Sequence, residues 1–202
     1  MRYLMTHSLL SAWLYTMKDN PYEDAENEKD SMAEFLTVLR REPTEPNMAM
    51  IKGRHFEDLI TAIIEDRADP EDQWYDAAKK IADRIDGGLL QYAAKREIVV
   101  DGITFLLYGR LDALKAGEIT DIKYSGKYER GKFYESTQHP VYMELIPEAE
   151  RFTYRISNGR DVWEESYRRD ETRDIRPIIS DFIRWLRMQE LFDVYCEHWA
   201  AK

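Results

Sequence analysis

Cysteine is nearly absent from this 202-residue chain, where Cys196 stands alone. One thiol cannot close an internal disulfide or supply a four-cysteine metal cluster. Cys196 lies in an apolar helical pattern and reads as a buried thiol, so a reducing cytoplasm is the expected compartment. Long apolar runs are also missing. None reaches the length that spans a bilayer, and no membrane partner is expected. The opening residues, Met1 to Ser8, lack the apolar core and cleavage site of a secretory signal. An excess of positive charge is lacking too: 29 Lys and Arg stand against 39 Asp and Glu, a formal net charge of −10. That balance excludes a generic basic coat for nucleic acid. It leaves room for a nuclease, because acids concentrate at metal sites and a basic path can be local. No internal repeat or low-complexity linker is visible.

What is present fits a folded globular chain: 44% of residues are hydrophobic and 12% aromatic. The length suggests one domain with an elaboration. Charge is uneven along it. Lys123, Lys127, Arg130 and Lys132 crowd into 123–134 against Glu129 alone, whereas acids gather in 19–34 and 57–86.

Hydrophobic spacing gives the order of elements. Leu9, Leu10, Trp13, Leu14 and Met17 predict a helix over 6–18, capped by Thr6 or Ser8. Asn20-Pro21 punctuates a loop at 18–24, and Met32, Phe35, Leu36 and Leu39 predict a helix over 30–41. A third helix is expected at 48–66, with Phe56, Leu59, Ile60, Ile63 and Ile64 inward and Glu57 at the margin of the stripe. Gly53 inside it costs about 1 kcal/mol against alanine, which a close neighbour would justify. His55 lies on the opposite side from Glu57 and is expected to face solvent or phosphate. Asp69-Pro70 should begin a helix that buries Trp74 and runs to Ile85. The period then becomes two. Strands are expected at 89–100 and 103–109, the latter continuing to Asp112, about an Asp101-Gly102 turn. A further strand spans 118–124. A helix over 137–146 capped by Thr137 follows, then strands at 151–157 and 161–167 about Asn158-Gly159, and a long helix from 174 to 199. The reading is α/β (α+β): a central mixed sheet flanked by helices, with a helical elaboration over 1–47 and a core over 48–202.

The chemistry concentrates in Gly109 to Lys123. Two strands there meet at an Ala116-Gly117 turn. Asp121 and Lys123 alternate onto one face, where Asp112 on the partner strand can reach them; Ile119 and Ile122 are expected behind. Unpaired burial of such charges costs several kcal/mol, roughly, per ion, and a bound divalent cation would remove that cost. The next stretch, 124–134, mixes bases with aromatics between two glycines. It suits a mobile loop that grips nucleic acid, or a plain polar loop whose tyrosines pack back on the body.

Taken together, Glu57 four residues after Gly53, Asp112, Asp121-Ile122-Lys123 and Gln138-x-x-x-Tyr142 resemble the PD-(D/E)XK nuclease superfamily, with its restriction-endonuclease-like core. Residues 6–15, Thr-His-Ser-Leu-Leu-Ser-Ala-Trp-Leu-Tyr, are similar to the opening helix of its RecB-like exonuclease branch. Two departures stand out: Leu111 precedes Asp112 where the family name has proline, and Glu57 stands where the branch often has histidine, as in phage-type exonucleases. The resemblance implies that Glu57, Asp112, Asp121 and the Ile122 carbonyl bind Mg²⁺ or Mn²⁺ and that Lys123 is catalytic. It implies that Gln138 and Tyr142 position the substrate or brace the lysine, with Lys127, Arg130 and Lys132 leading the strand in. Iron–sulfur members need four cysteines, so no such cluster is expected. The implied activity is metal-dependent DNA hydrolysis in end processing or recombination, phage-encoded or otherwise, with exonuclease first and endonuclease of the same fold second. The third reading is an inactive acidic interaction protein or DNA mimic. DNA is the expected partner, beside a homo-oligomer or a recombination partner protein.

Overall fold

The structure, a computed structural model, describes residues 1–17 and 31–201. The loop expected at 18–24 and the first residue of the helix expected at 30–41 lie outside the described residues. The architecture is α/β, with one mixed six-stranded sheet flanked by seven α-helices among the described residues.

Two turns build the middle of the sheet. Asp101 and Gly102, at φ 49° and 76°, join β2 (Leu89–Val100) to β3 (Ile103–Lys115). Ala116 and Gly117, at φ 48° and 76°, join β3 to β4 (Glu118–Tyr124). Two successive left-handed residues match the twist of the flanking strands, so both hairpins close tightly. β5 (Arg151–Ser157) runs parallel to β4, and β6 (Val162–Arg168) returns antiparallel to β5. Their connection needs Gly159: it sits at φ 92°, and a Cβ there would lie 2.5 Å from the Trp74 ring.

A short strand, β1 (Arg2–Met5), completes the sheet. It was not expected, since four residues ahead of a helix cap are too few to show alternation. β1 pairs parallel with β3 from Arg2↔Thr104 to Met5↔Leu107. The stretch expected to be a helical elaboration therefore contributes a strand. β2 covers one edge of β3 from Ile103 to Leu114. The other edge is shared, with β1 on the first part and β4 on the last, from Ala113↔Thr120 to Lys115↔Glu118.

Helices cover both faces. α1 (His7–Thr16), α2 (Ser31–Leu39), α5 (Gln138–Leu145), α6 (Arg176–Met188) and α7 (Phe192–His198) enclose one core that includes Leu9, Phe35, Phe105, Tyr154, Phe182 and Tyr195. α3 (Met48–Ile64) and α4 (Tyr75–Ile85) close a second core through Phe56, Ile60, Ala78 and Ile81, against Ala113 and Ile122. Each fully buried Leu, Ile or Phe contributes roughly 1.5–3 kcal/mol.

Several boundaries differ from expectation. α4 starts at Tyr75, because the Asp69 and Asp72 carboxylates take the amides of Glu71 and Trp74 and hold that stretch as turns. The helix expected over 174–199 is two helices. Glu190, at φ 58°, lets Leu191 N–H reach Leu186 O and its own N–H reach Arg187 O, a Schellman ending. The same ending closes α2 at Arg41 and α3 at Asp66, again without glycine. Thr6 caps α1 by accepting from Leu9 N–H. α5 is different: Ser136 Oγ, not the Thr137 hydroxyl, takes the Gln138 amide. Cys196 is half-buried rather than enclosed. No helix among the described residues is long and apolar enough to cross a membrane.

Candidate functional site

The site grows from the place where β3 changes partner. Pairing between β3 and β4 stops after Ala113↔Thr120, and the strands part. Asp112 and Asp121 are the next residue on each side. Asp112 Oδ2 accepts the Ile122 N–H at 2.7 Å, so a side chain takes the bond that a ladder would have made. On the other edge the β2–β3 ladder pairs Leu90 with Ala113 and Tyr92 with Leu111, but skips Gln91 and Asp112. Gln91 has φ 50°. Such a backbone costs roughly 1–3 kcal/mol in a residue other than glycine, and strain of this kind gathers at functional sites.

Alternation along β4 puts Ile119, Asp121 and Lys123 on one face and Ile122 on the other. Ile119 accordingly packs in the α1/α5 core and Ile122 in the α3/α4 core. This corrects the expectation that both isoleucines back the acids, which miscounted the parity of Ile119.

Asp121 is 4% exposed. Gln138, the first residue of α5, donates its Nε2 to Asp121 Oδ1. Lys123 Nζ lies 2.7 Å from Asp121 Oδ2, an ion pair at hydrogen-bond distance. One turn along α5, Tyr142 donates its hydroxyl to Arg110 O at 3.1 Å and braces the edge of β3 that lacks a strand. Gly109 permits this approach, since a Cβ there would lie 2.4 Å from the Tyr142 ring. Gln138 thus holds the acid, and Tyr142 holds the strand.

The electrostatics follow from burial. The Asp112 carboxyl is pushed up to about 7, first by burial and then by the Asp121 charge, with the Ile122 N–H opposing. Burial also raises Asp121, against the pull of Lys123 and Gln138. Glu57, partly buried on α3, is raised by burial and then by Asp121. Burial opposes the charge on Lys123, yet Asp121, Asp112 and Glu57 outweigh it and hold the ammonium more firmly charged than usual. Asp112, Asp121, Ile122, Lys123, Gln138 and Tyr142 are joined by contact or one shared element, and Glu57 acts on them across space.

The donor chemistry suits a hard divalent cation: the carboxyls of Glu57, Asp112 and Asp121 lie near enough to raise one another. As they stand, no three His, Cys, Asp or Glu side chains among the described residues are gathered closely enough to hold a metal ion. Lys123 and Gln138 occupy Asp121, and the Ile122 amide occupies Asp112.

The basic loop is more fixed than its glycines suggest. Glu165 on β6 accepts from Tyr128 Oη at 2.7 Å, from the Gly131 and Phe133 amides at 3.0 Å, and from Tyr167 Oη. These donors hold its carboxyl below the usual range although burial works the other way. Tyr128 packs on Trp163 with ring centres 5.7 Å apart, whereas Tyr134 is 67% exposed. Lys127 and Arg130 are exposed. Lys132 donates to Ser125 Oγ at 3.1 Å. Nothing lies within 4 Å of where a Gly53 Cβ would be, so no protein neighbour requires that glycine. His55, expected to face solvent or phosphate, is tied to Asp72 Oδ2 at 2.9 Å.

One neighbour escaped sequence reading. His7 opens α1 with its ring edge on Tyr142, centres 5.4 Å apart, and its Nδ1 is buried without a partner. Burial first, then Lys123, lower its pKa to about 3, so the imidazole is neutral. A lone histidine beside a helix cap carries no periodic signal that could have revealed this.

No family model matches the chain. No curated protein matches it either. Solved structures do match its fold. One of them, the crystal structure of SSO0001, aligns with a TM-score of 0.54 at 14% identity, covering 94% of this chain and 78% of that one. At that identity the likeness concerns the fold alone.

Proposed function

We propose that the chain is a metal-dependent nuclease that hydrolyses phosphodiester bonds in DNA, working from ends. The observation that carries this reading is the parted β3–β4 hairpin, which sets Asp112 against the Ile122 amide beside the Asp121–Lys123 pair. Glu57, Asp112, Asp121 and the Ile122 carbonyl would hold Mg²⁺ or Mn²⁺. Bound there, the ion supplies charge neutralisation and lowers the pKa of water. Lys123 orients the attacking water and stabilises charge that builds on the phosphate. Gln138 keeps the Asp121 carboxylate aimed. Tyr142 keeps β3 from closing over the site.

End-labelled linear DNA incubated with Mg²⁺ or Mn²⁺ tests this. Asp121→Ala should abolish cleavage, and Lys123→Ala should slow it about 100-fold or more. Equal activity in wild type and both variants would reject the assignment. Cleavage of a covalently closed circle would move the protein to the endonuclease reading.

A further inference from the structure

A groove of about 470 Å³ opens between α1, the basic loop and the segment leading into α6. Its wall on α1 is Leu14, Tyr15 and Met17, and Lys132 and Arg173 face it from the other side. Tyr15 and Met17 are 53% and 54% exposed, so their apolar surfaces are available. Arg173 is paired with Glu135, which also lines the groove. Lys132 bonds only to the Ser125 hydroxyl and the Lys127 carbonyl, so its charge is not cancelled by a carboxylate among the described residues. Among the described residues that line it, Lys132 and Arg173 stand against Glu135 alone, a local positive excess in a chain of net charge −10.

The inner end is what gives the groove meaning. Ser11 Oγ and Thr137 Oγ1 meet there at 3.0 Å, and Thr137 also donates to the His7 carbonyl. The next residue, Gln138, holds Asp121. The groove is thus lined at Thr137, one residue from the side chain that holds Asp121, and a tyrosine ring and an ammonium line it as well. Stacking on an aromatic face plus a cation on the backbone is how proteins hold single-stranded nucleic acid without reading its sequence. A base inside a duplex has no free face to offer such a ring.

We propose that this groove is a subsite for a single-stranded stretch of DNA, a base resting on Tyr15 and a phosphate on Lys132. The proposal rests on the nuclease reading above and adds the strandedness of the substrate.

Binding of a fluorescent oligothymidine and of a blunt duplex of equal length tests it, in EDTA and separately with Ca²⁺. Wild type, Tyr15→Ala and Lys132→Ala are compared, and unchanged thermal unfolding confirms that both variants are folded. Wild type should prefer the single strand; Tyr15→Ala should lose about tenfold or more of that affinity while duplex binding changes little, and Lys132→Ala should lose about tenfold or more of it while weakening duplex binding as well. Single-strand affinity unchanged in both variants, or absent from wild type under both conditions, would overturn the subsite. Self-association that depends on Tyr15, in place of oligonucleotide binding, would overturn it in favour of a contact between copies. Loss of binding in the variants of a protein that cleaves nothing with Mg²⁺ or Mn²⁺ would sink the nuclease reading and leave the subsite standing.

Discussion

Single residues carry two consequences that can be measured. His139 stacks on Tyr167 with ring centres 4.2 Å apart, and its Nδ1 lies 3.1 Å from Tyr154 Oη. Burial, then Arg173, lowers its pKa to about 4. The unfolded chain takes up this proton near pH 6.5, the folded chain only near 4. The stabilising contribution is therefore complete above pH 6.5 and disappears as pH falls toward 4, with an upper size on the order of 3 kcal/mol. Over the same range His7 works in the same direction and Asp112 in the opposite one, so the contribution is read as a difference: from pH 7 to 4 the thermal stability of His139→Phe should rise relative to that of wild type. Gly53 makes the second case. Replacing it with alanine should raise stability by about 1 kcal/mol, because helical glycine is costly and the space is open. Gly53 lies one turn before Glu57 on the same helix face, so under the nuclease reading a methyl there would narrow the approach of a substrate strand to Glu57. DNA cleavage by Gly53→Ala should fall while the melting temperature rises; cleavage that keeps pace with wild type would show that the open space serves nothing.

At the scale of elements, Glu165 decides how the basic loop is held. Glu165→Gln replaces one acceptor oxygen with a donor, so at least one of the loop amides loses its partner at a cost of roughly 1–3 kcal/mol. Trypsin should then cut faster at Lys127, Arg130 and Lys132, read by mass spectrometry before any global unfolding; an unchanged cutting rate would mean that the loop is held by its aromatic packing instead. No local signal marked Glu165, because its loop partners Tyr128, Gly131 and Phe133 lie more than 30 residues away in the chain. The hairpins, by contrast, were legible because Asp101-Gly102 and Ala116-Gly117 impose their geometry within four residues. The break between α6 and α7 was hidden because Glu190 adopts a left-handed backbone that composition assigns to glycine. Of the site, the nearness of Asp112 to Asp121 follows from the hairpin register that Ala116-Gly117 sets, but the parting of the strands at that point does not. The role of Gln138 does not either, since it depends on how closely α5 settles against Gly109.

For the whole molecule, charge is the quantity that matters. The net charge of −10 makes general attraction to DNA unfavourable, and under the nuclease reading Lys127, Arg130 and Lys132 of the loop would offset it. Three phosphate contacts imply that the logarithm of affinity falls against the logarithm of salt with a slope of about −2 to −3. Fluorescence titration over a range of KCl should return that value, and the slope should become shallower by about one on Lys132→Ala. A much steeper dependence would require a larger basic surface than the loop provides.

β1 has a consequence for how the polypeptide comes to be folded. Leu4 N–H bonds to Trp199 O, Ala201 N–H to Arg2 O, and Tyr195 Oη to Leu4 O. During synthesis from the amino end, β1 must wait for residues 195–201, nearly 200 positions further along, before its outer edge is satisfied. Contacts this distant in sequence close slowly, because the entropy of the intervening chain is lost before they form. Early and late segments are thus obliged to mature together, and a nascent chain stalled before residue 195 would display a bare strand edge to its neighbours.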